Sequence, residues 1–381
     1  MIRFGTWSTT LALGALFGLV VAMLLCCTPR NRSANQLFAA LIVLIVLKLG
    51  PYILGFAGYY GAYPWLSFAP FTVGLAFGPL LYLHVKRLTS STLPTGWAWH
   101  LLPGALQFGY RSVMFAQPMA VKNAWNASVH ERWIDPAETL LEIVSMALYL
   151  WLALRTYRHY QLWLDGHVSN REDYRIEWLR NMLLLFALAL PAWAIFEAMS
   201  TVGTFNYYQR FPLYAGFCAL IVILGLEGWR HADHRYPVPA GFVEPTTSVV
   251  ASLIPAPPEV ATRDWRAQGH RWLEQTAAQG CWRDPELSLE RLARLLGTNT
   301  AYLSRGLNEG LGLSFNDAIN RLRVAEVERQ LANPIADGDL LEIAFAAGFS
   351  SKTSFNRVFK SQAGLTPTQF RARSMASRAK T

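Results

Sequence analysis

An all-α chain in two unlike parts is what this sequence predicts: a polytopic seven-helix membrane bundle, then a soluble all-helical domain with two helix-turn-helix units joined by a long helix. Three observations predict it. Hydrophobic residues make up 52% of the 381 residues against 15% charged, with a mean hydropathy of +0.21, too apolar for an ordinary soluble protein. The apolar excess sits in residues 1–235, whereas residues 263–381 hold 17 Lys and Arg and 12 Asp and Glu. In that second part the apolar residues recur at helical spacing, between glycine-containing turns.

A span needs about 20 mostly apolar residues. Residues 4–29 carry no charge, so the first span falls at 7–27; a signal peptide would have a shorter core and a small-residue cleavage site after it. Further spans are expected at 36–56 (with Lys48 and a kink at Gly50-Pro51), 66–85, 98–116, 137–157, 179–200 and 210–229. The fifth requires Glu142 to lie within the membrane, because only 12 residues separate it from Arg155. With the N-terminus outside, eleven Lys and Arg fall on inner segments and five on outer ones, the asymmetry of a multi-pass protein in a bacterial inner membrane with its C-terminal domain in the cytoplasm.

Ionisable groups inside a span are costly and usually pair or line a wet cavity. Lys48, Arg111, Glu142 and Glu197 all fall in the outer halves of their spans and form a candidate binding site for a small signal; the competing reading has Arg111 and Glu197 reaching to the interface. The outer loops are crowded with Tyr59, Tyr60, Tyr63, Trp65, Trp125, Trp133, Tyr207 and Tyr208, an aromatic belt or a ligand lid. Enzyme signatures are absent: no glycine-rich nucleotide loop, no HExxH, hence no catalytic residues and no cofactor. His231 and His234 have ligand-like spacing but lie among basic residues, where headgroup contact is the better reading than metal. Cys26, Cys27, Cys218 and Cys281 have neither metal nor disulfide spacing. Residues 236–262 contain six prolines and read as a semi-extended linker reaching ~80 Å.

The soluble domain, 263–381, opens with a helix near 264–278. LSLERLARLLG (287–297) follows, capped by Ser288, with Leu289, Leu292, Ala293 and Leu296 buried and Gly297 ending it. Asn299 caps the next helix, which turns Leu303 and Leu307 inward and leaves Ala301, Tyr302, Ser304, Arg305 and Asn308 outward. Residues 314–334 are one long helix with Phe315, Ile319, Leu322, Val324, Ala325 and Leu331 inward and Pro334 beyond its end. At about 24–27 Å it is a strut able to hold two helices near one duplex turn, ~34 Å, apart. LEIAFAAGFSSKTSFNRVFK (341–360) repeats the arrangement: Ile343, Ala344, Ala347 and Phe349 inward, Gly348 at the turn, Ser350 or Ser351 capping, Phe355 and Phe359 inward. Ser351, Lys352, Thr353, Asn356, Arg357 and Lys360 then face outward, groups that bond base edges and phosphates. The last 31 residues hold seven basic and no acidic side chains, which suits nucleic acid. Arg323, Arg329, Arg371 and Arg373 read as solvated or phosphate-facing, and Trp272, Trp282, Phe315 and Phe370 as core aromatics.

Residues 282–373 resemble the DNA-binding domain of the AraC/XylS family of bacterial transcription regulators through LSLERLARLLG, AYLSRGLNE, GLSFNDAINRLRVAEVERQL, IAFAAGFSSKTSFNRVFK and the closing GLTPTQFR. The resemblance covers about a quarter of the chain. It implies a reader at Ala301, Ser304 and Arg305 and a second at Lys352, Thr353, Asn356 and Arg357. Ala301 and Ser304 are smaller than the side chains many members carry there, which makes the second reader the better equipped. Where the family most often has a soluble ligand-binding domain, this chain has spans, as in membrane-integrated members, whose third span GPLLYLHVKR (78–87) matches. The expected partners are double-stranded DNA, the lipid bilayer and an unknown small signal, with a homodimer left open. The rival reading is a membrane receptor or transporter whose C-terminal module binds protein instead of DNA.

Overall fold

The computed structural model describes residues 2–169, 176–201, 203, 206–234, 236–238, 264–332 and 339–378. Among these the chain is helical, with no strand beyond an isolated antiparallel bridge between Val168 and Ser288. It divides into two compact units, residues 1–158 with 176–242 and residues 159–175 with 243–381. Apart from 236–238, the expected linker lies outside the described residues, as does Pro334.

The first unit comprises α1 (Thr6–Cys27), α2 (Arg32–Phe56), α3 (Tyr59–Ala62), α4 (Phe77–Thr89), α5 (Leu102–Phe115), α6 (Met119–Trp125), α7 (Asp135–His167) as far as residue 158, α8 (Glu177–Thr201) and α9 (Phe211–His231). Among the described residues five helical stretches are long and apolar enough to cross a membrane: α1, α2, Met119–His167, Glu177–Ser200 and Tyr208–His231. Leu16, Met23, Leu148, Leu188, Ile195 and Leu226 on these stretches are exposed, the kind of apolar surface that marks an interaction site for another apolar phase or partner.

The segments expected as third and fourth spans are built differently. Phe68 adopts a φ of 66° and Pro70 follows, so 66–73 cannot continue as helix; α4 begins only at Phe77 and its 13 residues rise about 20 Å. Residues 98–116 form a 3-10 turn, Trp97–Leu101, leading into the 14-residue α5, where Pro103 occupies the first turn and sacrifices no helical hydrogen bond. By contrast α7, the weakest span in the sequence, is the longest helix at 33 residues. The helix α2 is continuous through Pro51.

The second unit holds α10 (Trp265–Gln279), α11 (Leu289–Leu295), α12 (Thr300–Arg305) carried on by a π-helical turn at Gly306–Gly310, α13 (Phe315–Leu331), α14 (Leu340–Ala346), α15 (Lys352–Ala363) and α16 (Pro367–Arg378). Several of these are too short to hold as isolated helices, so packing must stabilise them. One core does so, drawing Trp272, Trp282, Leu292, Leu303, Phe315, Ile319, Ile343, Phe349, Phe355 and Phe359 together, with Phe370 packed against it. Around that core α13 departs from expectation at two positions. Ala325 is exposed, and Val327 takes the inward place. Arg323, expected in solvent, is fully buried: its Nε donates to the Trp282 carbonyl at 2.8 Å and its guanidinium also reaches the Asp284 carbonyl at 2.8 Å. A buried cation persists only with such partners.

Candidate functional site

Two places in the molecule gather chemistry. In the second unit, α11 and α12 are joined by the same turn as α14 and α15. Thr298 N–H donates to the Ala293 carbonyl at 2.9 Å and Phe349 N–H to the Ala344 carbonyl at 3.1 Å, six residues closing each turn. Gly297 (φ 62°) and Gly348 (φ 90°) supply the left-handed residue that this closure demands. Each following helix is capped by a side chain: Asn299 Oδ1 accepts from Tyr302 N–H at 2.8 Å and Ser351 Oγ from Ser354 N–H at 3.3 Å. Of the two serines offered by the sequence, Ser351 is the cap.

The outward faces of these two helices differ. On α15, Lys352, Thr353, Asn356, Arg357 and Lys360 are exposed while Phe355, Val358 and Phe359 are buried beneath them. On α12, Ala301, Tyr302, Arg305 and Asn308 are exposed and Ser304 is half-buried, but the polar groups are engaged with neighbours. Arg305 Nε donates to Glu309 at 3.0 Å and its guanidinium lies over the Trp265 ring at 5.3 Å. Tyr302 stacks on the same Trp265, and Asn308 Nδ2 donates to Ser304 Oγ at 3.1 Å. The α15 face therefore carries three exposed cations, Lys352, Arg357 and Lys360, and the α12 face one, Arg305.

Arg329, another basic residue of this unit, pairs with Glu326 at 2.7 Å. Its guanidinium holds the Glu326 carboxyl down to about 2 from an ordinary 4.5.

The second place is a cavity of about 240 Å³ in the first unit, lined by all four ionisable residues singled out in the sequence. Lys48 Nζ donates to Glu142 at 3.3 Å and sits over the Trp193 ring at 4.7 Å, with both partners of the ion pair buried. Gln107 Nε2 donates to the other Glu142 oxygen at 2.9 Å, so that carboxylate is held from two helices. Arg111 pairs with Glu138, one turn before Glu142 on α7. Glu197 accepts from Trp193 Nε1 at 3.1 Å. Glu138, Gln107, Arg210, Tyr52 and Tyr214 belong to this site and sequence reading missed them. The i,i+4 spacing of Glu138 and Glu142 was the signal available. Of the aromatics singled out in the sequence, Tyr59 lies against Tyr63 and Tyr207 against Tyr208, with ring centroids 6.2 and 5.8 Å apart, and Tyr207 also stacks on Tyr52 at 5.3 Å.

The His231 ring stacks on Trp178 and its Nδ1 meets the Glu227 carbonyl at 2.8 Å, while His234 lies against Tyr236. Among the described residues no three His, Cys, Asp or Glu side chains are grouped to hold a metal.

A glycine turn between two packed helices, the second capped and carrying an exposed polar face, defines a helix-turn-helix domain. Residues 292–373 match the family model described as "Helix-turn-helix domain". The chain is 30% identical over 101 residues to the probable transcription factor PqrA of Proteus vulgaris, a stretch that is 26% of this chain and 78% of PqrA. It is 35% identical over 86 residues to an uncharacterized HTH-type transcriptional regulator of Staphylococcus aureus strain COL, 23% of this chain and 11% of that protein's length. No solved structure matches the chain at a significant level. The chain belongs to the family of helix-turn-helix transcriptional regulators, with an AraC-type domain in its C-terminal part.

Proposed function

We propose that the protein is a membrane-anchored regulator of transcription that binds DNA sequence-specifically and responds to a signal at the membrane. It performs no catalysis and needs no cofactor. In this reading α11–α12 and α14–α15 are two DNA-binding helix-turn-helix units, with α13 as the strut between them. The observation that carries the proposal is the α15 face, where Lys352, Thr353, Asn356 and Arg357 stand exposed on a helix anchored by Phe355 and Phe359. Asn and Arg at these places can make the paired hydrogen bonds that distinguish adenine and guanine in the major groove.

The apolar outward faces of the first unit support anchoring, and the basic asymmetry of its loops supports a multi-pass arrangement of seven spans in the inner membrane, N-terminus outside. The two spans contributed by α4 and α5 would be short and would cross with the help of the 3-10 turns that lead into them, Gly74–Ala76 before α4 and Trp97–Leu101 before α5. The charged cavity around Lys48, Arg111, Glu142 and Glu197 is the proposed receptor site for a small polar signal, since ion pairs inside hydrocarbon are retained where they serve a function.

The test is electrophoretic mobility shift of the full chain in lipid nanodiscs, using duplexes it selects from a random 30-base-pair library. Binding that weakens steeply between 50 and 200 mM salt supports the reading, because basic side chains displace phosphate counterions. Failure to enrich any duplex overturns it in favour of a protein-binding module.

A further inference from the structure

Residues 159–169, the last turns of α7 and the two residues after it, belong to the same compact unit as the DNA-binding helices. Their attachment is specific. Val168 forms an antiparallel bridge with Ser288, and Ser169 N–H donates to the Leu287 carbonyl at 3.4 Å. Asn316 Nδ2 on α13 donates to the Val168 carbonyl at 3.0 Å and the Ser169 carbonyl at 2.6 Å. The Arg323 guanidinium donates to Ser169 Oγ at 3.1 Å. Ser169 and Arg323 are fully buried, and Val168 and Asn316 nearly so.

The placement of this seat matters more than its tightness. Ser288 is the cap of α11, the first helix of the first helix-turn-helix unit. Arg323 reaches from α13 to the carbonyls of Trp282 and Asp284, just before α11, and lies 6.0 Å from the Phe349 ring in the turn between α14 and α15. Gly348 in that turn packs so closely on the Arg283 carbonyl that a Cβ there would stand 2.6 Å from its oxygen. Ser169 thus completes the hydrogen bonding of a buried cation at the junction of both helix pairs. With the Val168–Ser169 segment unseated, Asn316 loses the two carbonyls it donates to and Arg323 loses the Ser169 hydroxyl, and buried donors without partners are costly. Neither outward face, α12 or α15, is covered by the docked segment, as both stay exposed.

We infer that Val168–Ser169 is a built-in docking segment whose seating on Asn316, Arg323 and Leu287–Ser288 holds the two helix-turn-helix units in their DNA-binding pose. The segment continues directly from α7, the helix that carries Glu138 and Glu142 in the charged cavity. A signal that displaces α7 then reaches the readers through this short connection, without relying on the Pro-rich stretch after residue 235. The inference rests on the reading of the C-terminal unit as DNA-binding.

Two substitutions in the full chain, held in lipid nanodiscs, test it. Ser169→Trp cannot be seated in a fully buried position, and Asn316→Asp keeps the shape and its bond to Asn320 while turning an acceptor against the two carbonyls. Affinity is measured for a duplex selected by the wild-type chain, alongside amide hydrogen exchange. The expected result is about tenfold weaker binding for each variant. With it, amides of residues 289–296 exchange faster and those of α15 stay protected. Wild-type affinity in Asn316→Asp with protected α15 overturns the inference, whether or not Ser169→Trp folds. A wild-type chain that selects no duplex, with the exchange difference still present, overturns the DNA-binding reading and the inference together.

Discussion

The helices α12 and α15 follow the same turn, are capped in the same way and pack on the same core, yet they present different chemistry outward. On α12 the one cation is shared with Glu309 and Trp265, and Asn308 is bonded to Ser304. On α15 three cations, a hydroxyl and an amide stand at the surface, with no acidic side chain on the helix. The difference teaches that a shared backbone geometry assigns position and the side chains assign the role. In this account α15 reads bases and α12 mainly steadies the protein on phosphates.

The largest effect expected from breaking that comparison is at Arg357. Arg357→Ala weakens binding to a selected duplex by ~1–3 kcal/mol, roughly five- to 150-fold, measured by fluorescence anisotropy on the full chain in nanodiscs. Removing the two caps comes next, because the caps are the part the helices share. Ser351→Ala and Asn299→Ala each cost about 1 kcal/mol of stability in thermal unfolding. Unequal losses would show that the two turns are less alike in solution than in the structure. A smaller effect, in the opposite direction, sharpens the contrast: Glu309→Ala frees Arg305 and raises affinity about two- to threefold, lost again in the double variant Glu309→Ala, Arg305→Ala. Of similar size is a pH effect on the strut. Glu326 has its folded-state pKa lowered to about 2 by Arg329, so its contribution is fully present above pH 4.5 and disappears as pH falls toward 2. Glu326→Gln removes roughly 0.5–1 kcal/mol at neutral pH and flattens the acid side of the stability profile, followed by circular dichroism.

Much of the second unit was legible in the sequence because its signals are local. Ser288, Asn299 and Ser351 announce helix starts by their own side chains, Gly297 and Gly348 announce turns, and the spacing of Leu303, Leu307, Phe355 and Phe359 marks the inward face. Arg323 was misread because nothing local distinguishes it from a solvated arginine on an amphipathic helix. What buries it is a pair of carbonyls about 40 residues earlier and Ser169, 154 residues away. The same limit explains the charged cavity. Lys48 and Glu142 stood out because charge inside a span is conspicuous, whereas Glu138 and Arg210 fall at the edges of the expected spans 137–157 and 210–229 and Gln107 is uncharged. Segment 66–85 was read by apolar content alone, and Ala69-Pro70, which breaks it, lay in plain view. Hydropathy reports what can enter a membrane; it does not report whether the backbone there is one helix.

The most direct test of the division between the two helices is the sequence preference of the variants. Wild type, Arg305→Ala and Arg357→Ala chains in nanodiscs are each used to select from one random duplex library, and the enriched positions are compared. Arg305→Ala should keep the wild-type preference at every position with only modestly weaker binding, while Arg357→Ala should lose preference at one or two adjacent base pairs. Loss of preference in Arg305→Ala with Arg357→Ala unchanged would contradict the account and make α12 the reader.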